Sequence, residues 1–226
     1  MAAESTGVRM ITLGSRAEWL EKRKSYIGGS EAACIVGMNP YQSNVDLWEH
    51  KTGRKVHEDI SGNPCVAYGT DAEKYLRELF RLDFPQYTVE YVENNLWLND
   101  EYPFAHASLD GWLKDESGRM GILEIKTSLI RNAAMSAKWK DRIPDNYFCQ
   151  ILHYLAVTGF DFVVLKAQLK FPSFNEQVFD TIVQTRHYFV ERKEVESDIR
   201  YLMEQEKRFA EYIKTDSKPP LVLPRI

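Results

Sequence analysis

Residues 120–127, Met-Gly-Ile-Leu-Glu-Ile-Lys-Thr, alternate in a way that leaves a chain few options for folding. With a side-chain period of two, an extended Leu123-Glu124-Ile125-Lys126 sends Leu123 and Ile125 to one face, and Glu124 and Lys126 to the other. The apolar pair can anchor the strand in a core while the charged pair faces a cleft. Upstream, Phe104 to Leu113 reads as a second strand carrying His106, Ser108 and Asp110, and Lys114-Asp-Glu-Ser-Gly118 supplies a polar turn with a glycine. Such a turn folds the two strands into a hairpin and brings Asp110 toward Glu124. An exposed Glu-x-Lys pair on a sheet surface alternates in the same manner, so this strand alone does not fix a function.

Paired carboxylates with a lysine suit one chemistry in particular. Magnesium is a hard cation that keeps several waters, so one or two carboxylates and a carbonyl are a sufficient protein contribution. Asp110, Glu124 and the backbone carbonyl of Ile125 meet that description. A bound metal lowers the pKa of its water and neutralises phosphate charge, and a pair of metals stabilises both the attacking and the leaving oxygens. Lys126 would position the nucleophile and offset developing negative charge.

The remaining motifs fall on helices and further strands. Ser15 can cap a first helix carrying Trp19 and Arg23; Gly28 and Gly29 break it, and Ser30 is expected to cap a second helix from Glu31 to Val36. That helix start, with Arg23 nearby, has the properties of a terminal-phosphate site, although simple capping uses the same residues. A third helix is expected from Asn44 to Thr52, and a long one from Val66 to Leu82 with Tyr75, Leu76, Leu79 and Phe80 at helical spacing. Tyr87 to Leu98 alternates as a strand, and Asp145 to Thr158 reads as a helix with Gln150 and Tyr154 one turn apart. Phe162 to Leu169 and Glu176 to Gln184 extend the sheet. A final helix from Glu191 to Ile213 places Val195, Ile199, Leu202, Phe209 and Ile213 near one face, for packing on the body of the chain or on another subunit. The proline-rich tail from Ser217 is expected to dock as an extended strap.

Taken in order, the chain carries Trp19-x3-Arg23-x3-Ile27-Gly-Gly-Ser-Glu-Ala-Ala33, Asn39-Pro-Tyr41, Asp46-Leu-Trp48, Gly69-x3-Glu73, Asp110, Glu124-x-Lys126 and Gln150-x3-Tyr154. This series, spanning Trp19 to Gly159, resembles the phage lambda exonuclease family, also called the YqaJ viral recombinase family, within the PD-(D/E)XK nuclease superfamily. The resemblance implies an α/β fold with a restriction-endonuclease-like core: a central mixed β-sheet flanked by helices, with a C-terminal helical extension. It implies that Asp110 and Glu124 hold metal together with the Ile125 carbonyl, that Lys126 is the catalytic lysine, and that Glu73 is the acidic residue on the preceding helix. Arg23, Ser30 and Ser108 would then hold a 5′-terminal phosphate. Many relatives read Gln-x-Gln where this chain has Gln150-Ile-Leu152, so Gln150 takes the glutamine role, as in the Gln-x3-Tyr pattern of RecB-like nucleases.

The implied activity is magnesium-dependent 5′-to-3′ digestion of linear double-stranded DNA into mononucleotides, with two ions per site and manganese as a substitute. It would leave 3′ single strands for a phage-type single-strand annealing recombinase, and the implied assembly is a homotrimeric ring. A related endonuclease, or a DNA-end-binding module without catalysis, would share the fold; the joint presence of Asp110, Glu124 and Lys126 favours catalysis.

Composition bounds the rest. A 226-residue chain, 44% hydrophobic, suits a single nuclease domain: an N-terminal segment 1–14, a core 15–190 and a C-terminal helix and tail 191–226. The start, Met1-Ala-Ala-Glu-Ser-Thr, lacks the basic and apolar regions of a signal peptide, and no apolar run is long enough to span a bilayer. A cytoplasmic location in a bacterial host, away from membranes, is expected. Cys34, Cys65 and Cys149 lack metal-type spacing and read as buried free thiols. The formal net charge of −4 confines any DNA contact to a local basic channel, with Arg23, Lys24, Lys51, Arg54, Lys55, Arg131, Lys138 and Lys140 as candidates.

Overall fold

The computed structural model describes residues 7–56, 62–174 and 179–223. In chain order the elements are β1 (Val8–Thr12), α1 (Arg16–Lys24), β2 (Ile27–Gly28), α2 (Gly29–Ile35), α3 (Asn44–Lys51), α4 (Pro64–Asp83), β3 (Thr88–Glu90), β4 (Asn95–Asn99) and β5 (Ala105–His106). There follow β6 (Gly111–Lys114), β7 (Met120–Leu129), α5 (Ala133–Ala137), α6 (Asp145–Thr158), β8 (Phe162–Phe174), β9 (Phe179–Glu191) and α7 (Glu196–Lys214). A five-stranded mixed sheet runs in the order β3-β6-β7-β8-β9. β7 is antiparallel to β6 and parallel to β8. A parallel neighbour requires a crossover, and α6 lies on the connection between the two strands.

The alternation of β7 sorts the two layers. Leu123 and Ile125 pack with Ala72, Leu76 and Phe80 of α4 under one face. Ile122 packs with Ile151, Leu155 and the other apolar residues of α6 under the opposite face. Asn63 caps α4, its side chain accepting from the Cys65 amide at 2.9 Å, and Pro64 sits at the first helical position, where no N–H is needed. Only part of the expected α4 stripe is core: Leu76 and Phe80 are buried, whereas Tyr75 and Leu79 are exposed. At the other end of the crossover, Gly159 closes α6 in the left-handed conformation at φ 69°.

Several boundaries differ from the sequence expectation, each for a local reason. The strand expected over Tyr87–Leu98 is broken by a turn at Asn94 (φ 55°), a residue type that tolerates positive φ. β3 then joins the central sheet while β4 pairs with β1, a strand inside the supposed N-terminal segment. The strand expected over Phe104–Leu113 likewise splits into β5, parallel to β2, and β6. The N-cap of α2 is Gly28, not Ser30, because the Glu31 carboxylate accepts the Gly28 amide at 2.9 Å and starts the helix earlier. β9 runs on to Glu191, so α7 begins at Glu196. The first residues of the strand expected over 176–184 lie outside the described residues. Cys34 and Cys149 are buried, but Cys65, in the first turn of α4, is exposed.

The C-terminal helix packs on its own chain. Ile199, Leu202 and Met203 of α7 join the core that α6 builds, and Phe209 packs with Leu47 and Trp48 of α3. The tail docks as expected: buried Asn44 donates to the Pro220 carbonyl at 2.8 Å and accepts the Val222 amide at 2.9 Å.

Candidate active site

β6 pairs with β7 only as far as Gly111↔Leu123, while β7 continues to Leu129. Beyond Leu123 this edge of β7 is met by the backbone that ends at Asp110, whose Oδ2 accepts the Ile125 amide at 2.8 Å. The N–H and C=O of one strand residue point to the same neighbour, so the Ile125 carbonyl opens on the edge where Asp110 sits. Glu124, only 1% exposed, points to the α6 face. Its Oε1 receives the Lys126 ammonium at 2.6 Å and the Gln150 amide at 2.9 Å. Its Oε2 is buried and has no hydrogen-bond partner among the described residues. Lys126 also lies 5.2 Å from the ring centroid of Tyr147 on α6.

The charges here are mutually unfavourable. Burial, then the neighbouring Asp110 charge, pushes Glu124 up to about 8 and Glu73 up to about 7. Burial raises Asp110 as well. Burial opposes the charge on Lys126, but Glu124 and Asp110 outweigh it and hold the ammonium protonated. Lys126 is the cation bonded to Glu124, with Arg77 acting on Asp110 and Glu73 from α4, yet burial keeps all three acids raised, and raised acids gathered at a cleft point to a functional site. The described residues gather no group of three or more His, Cys, Asp or Glu side chains able to hold a metal, so a closed cage of the zinc type does not fit. Two carboxylates, the unpartnered Glu124 Oε2 among their atoms, and an edge carbonyl do fit an ion that retains water.

In front of this cluster lies a cleft of about 520 Å³. Asp110, Glu73, Gln150, Arg23, Ser30 and Ser108 all line it; Glu124 and Ile125 do not, but each is hydrogen-bonded to a lining residue, Glu124 to Gln150 and Ile125 to Asp110. On α1, the Arg23 guanidinium lies 4.1 Å from the Trp19 ring centroid. Trp19 Nε1 and Ser108 Oγ both donate to the Asn95 carbonyl at 3.0 Å, tying α1 and the Asp110 segment to β4. Gly29 allows α2 to approach α6 at this point: a Cβ there would lie 2.4 Å from Tyr154 Cε1. A larger cavity, about 1020 Å³, is lined by Tyr26, Phe104 and residues of α7 and includes none of Asp110, Glu124 and Glu73. The carboxylate cluster, and not the size of the cavity, marks the site.

Other residues at the cleft escaped the sequence reading. Arg16, Lys74, Arg77 and Tyr91 line it too, and Arg77 follows Glu73 by one helical turn, a spacing that marks it in retrospect. Half of the expected basic channel is engaged elsewhere. Lys24, Lys51, Arg54 and Lys55 form ion pairs with Glu21, Glu31, Asp216 and Asp46. Arg131, Lys138 and Lys140 are exposed but do not line the cleft, so of the eight candidates Arg23 alone does. His106 is buried, ends β5 instead of sharing a continuous strand with Asp110, and accepts through its carbonyl from His153 Nε2 at 2.8 Å.

Comparison with known proteins bears on this arrangement. The alkaline exonuclease LHK-Exo from Laribacter hongkongensis superposes with a TM-score of 0.59 at 18% identity, over 88% of this chain and 97% of that one. Its complex with dAMP gives 0.58 at the same identity and coverage. At this identity the likeness shows the fold, a PD-(D/E)XK mixed sheet flanked by helices. In sequence, the uncharacterized protein YqaJ of Bacillus subtilis (strain 168) is 32% identical over 146 residues, 64% of this chain and 43% of the relative. The chain therefore spans less than half the length of that relative. The profile of the YqaJ-like viral recombinase domain matches residues 18–161, nearly the interval Trp19–Gly159 over which the ordered motifs run and more than half of the chain. On that match, the protein belongs to the YqaJ-like viral recombinase domain family.

Proposed function

We propose that this chain is a metal-dependent deoxyribonuclease that digests linear double-stranded DNA from 5′ ends, releasing mononucleotides and leaving 3′ single strands. The observation that carries the reading is the acid cluster beside the cleft, where Asp110 docks on the Ile125 amide and Glu124, next to Lys126, keeps one buried oxygen without a partner among the described residues. Magnesium, or manganese in its place, would supply Lewis-acid chemistry and an acidified water, with two ions serving one site. Asp110, Glu124 and the Ile125 carbonyl would hold it. Lys126 stays protonated at the site and offsets charge developing on the phosphate. Gln150 orients Glu124, and Glu73 faces the same cleft from α4. Arg23, Ser30 and Ser108 would receive the 5′-terminal phosphate.

A homotrimeric ring would retain the DNA on a chain of net charge −4, which a few basic residues in one cleft do poorly alone. The 3′ strand would pass to a phage-type single-strand annealing recombinase in the cytoplasm of a bacterial host. No described helix is long and apolar enough to cross a membrane. The direct test is digestion of linear duplex labelled separately at its 5′ and 3′ ends, with magnesium or EDTA, beside a covalently closed circle. Early release of 5′-labelled mononucleotide, with the circle intact, is the expected result. Cutting of the circle would indicate a related endonuclease, and binding of ends without hydrolysis a recognition module.

A further inference from the structure

The backbone of Asp110 is not paired in the sheet. β6 begins one residue later, and between β5 and β6 the only backbone pairing is the isolated bridge Trp97↔Ala107 among the described residues. Two buried side chains from other elements take over. Asn95 of β4, 3% exposed, accepts the Leu109 amide through Oδ1 and donates through Nδ2 to the Leu109 and Val92 carbonyls, each at 2.9 Å. One amide thereby satisfies both backbone groups of one residue, as a neighbouring strand would. Arg77 of α4, 6% exposed, donates through Nη1 to the Asp110 carbonyl, while its guanidinium lies 3.6 Å from the Tyr91 ring centroid.

A buried guanidinium whose hydrogen-bonded partner is a backbone carbonyl is an expensive way to stabilise a helix face, since an apolar side chain of similar volume does so without desolvating a charge. Its position gives it another use. Arg77 is one turn from Glu73 and bonds the very residue whose carboxylate meets the Ile125 amide. We infer that Arg77 and Asn95 are positioning residues for Asp110: together they fix the Leu109–Asp110 backbone so that the carboxylate stays docked at the uncovered edge of β7. The purpose of the docked carboxylate rests on the nuclease reading; the docking itself does not. Groups that orient metal ligands are worth on the order of tenfold to a hundredfold in metal affinity.

The full chain is compared as wild type, Arg77→Met and Arg77→Lys. Amide hydrogen exchange at Ile125 is followed by NMR and Mn2+ affinity by EPR. Arg77→Met removes the donor but keeps a long side chain against Tyr91, so Ile125 should lose about tenfold or more of its protection while the rest of β7 keeps its own. Manganese affinity should fall on the order of tenfold to a hundredfold, and Arg77→Lys should recover most of both losses. Unchanged Ile125 protection in a folded Arg77→Met overturns the inference, as does Arg77→Lys behaving no better than Arg77→Met. Should Arg77→Met fail to fold, Tyr91→Leu, at an exposed position, loosens the same guanidinium: faster Ile125 exchange supports the inference and unchanged exchange overturns it. Wild-type protein that binds no manganese and cuts no DNA, but shows the Ile125 effect, refutes the nuclease reading and leaves the positioning intact. Active wild type with unaltered Ile125 exchange in the variants refutes the positioning alone.

Discussion

Gln150 Nε2 donates to Glu124 Oε1 at 2.9 Å and to the Tyr154 hydroxyl at 3.0 Å, so a helix on one side of the sheet sets the orientation of a carboxylate on its central strand. With Lys126 also on Oε1, the other oxygen of Glu124 is left for a partner from the cleft. Gln150→Ala should therefore lower hydrolysis by roughly tenfold to a hundredfold through weaker metal binding, and excess magnesium should restore part of the rate. Glu124→Gln, which removes the proposed ligand itself, should not recover. Magnesium titrations of the two variants separate these outcomes, and equal recovery in both would contradict the assigned division of labour.

The same crowding makes a prediction about stability. Asp110→Asn and Glu124→Gln each remove one of two neighbouring acids, the first half-buried and the second buried, so they should abolish DNA digestion yet leave the melting temperature of the metal-free protein unchanged or higher at pH 8. Lys126→Ala should also abolish digestion but lower stability, because it strips the acids of the ammonium that bonds Glu124 at 2.6 Å. Opposite signs in thermal melts of carboxylate and lysine variants are the signature. A carboxylate variant that melts well below wild type in EDTA would contradict it.

How stability depends on pH follows from the same groups. Glu73 at about 7 and Glu124 at about 8 lie above the ordinary 4.5, so between these values the folded chain binds more protons than the unfolded one. Their stabilising contribution is full below about 4.5 and is lost progressively as pH rises from there through about 7 to 8. In EDTA the melting temperature should fall across that window, at about 2 to 4 °C for each kcal/mol lost. Magnesium favours the ionised carboxylates, so its stabilising effect should grow with pH and be accompanied by proton release. Melting curves from pH 6 to 9, with and without the ion, test both; stability rising with pH in EDTA would show that other groups control this range.

Behind the site, α6 and α7 are joined by a buried polar pair. His153 Nε2 faces the His106 carbonyl at 2.8 Å and so carries a proton, while Nδ1 lies 2.8 and 3.0 Å from the Glu206 oxygens. That contact needs a second proton, and Glu206 with the backbone contact raises the histidine pKa against burial, which favours placing it on the ring. Replacing either partner alone leaves a buried charge without compensation and should cost about 3 to 5 kcal/mol. His153→Phe combined with Glu206→Leu should be less damaging than either change alone. Chemical denaturation of the three variants decides, and additive losses would show that the two groups act independently.

The sequence was most legible where one period held without interruption. β7 and α6 occur where alternation and helical spacing place them, and α6 has the expected ends, because each runs through the core, with residues 121–125 and 149–158 buried. Legibility failed where a polar side chain replaces a strand partner. Asn95 takes over the backbone of Leu109, so the residues before Asp110 read as continuous strand but form an irregular approach to β6. Arg77 was hidden for a related reason: a charge within an amphipathic helix reads as a solvated face, and its burial depends on Tyr91 and Asp110, which meet it only after folding. The ion pairs of Lys51 with Glu31 and Arg54 with Asp216 are equally invisible in a list of basic residues.

On the proposed reading the polarity of digestion would depend on Arg23, whose guanidinium is stacked on Trp19 at the cleft and, among the described residues, donates no hydrogen bond to the protein. Ser108 spends its proton on the Asn95 carbonyl, and Ser30, though exposed at the cleft, does not cap α2. Arg23 therefore has the most donor capacity to offer a terminal phosphate, which carries more charge than an internal diester. A charge-assisted contact of this kind contributes about 1.5 to 3 kcal/mol. If it is made in the transition state, duplex with 5′-phosphate ends should be digested roughly tenfold to a hundredfold faster than duplex with 5′-hydroxyl ends. Arg23→Ala should lose most of that preference with manganese affinity unchanged, whereas Ser108→Ala, losing a hydroxyl already engaged, should lose less. Competition between the two duplexes in one reaction measures the ratio directly. Equal rates for wild type, or an undiminished preference in Arg23→Ala, would move the phosphate contact to another of the cleft cations, with Arg16 and Lys74 the next to replace.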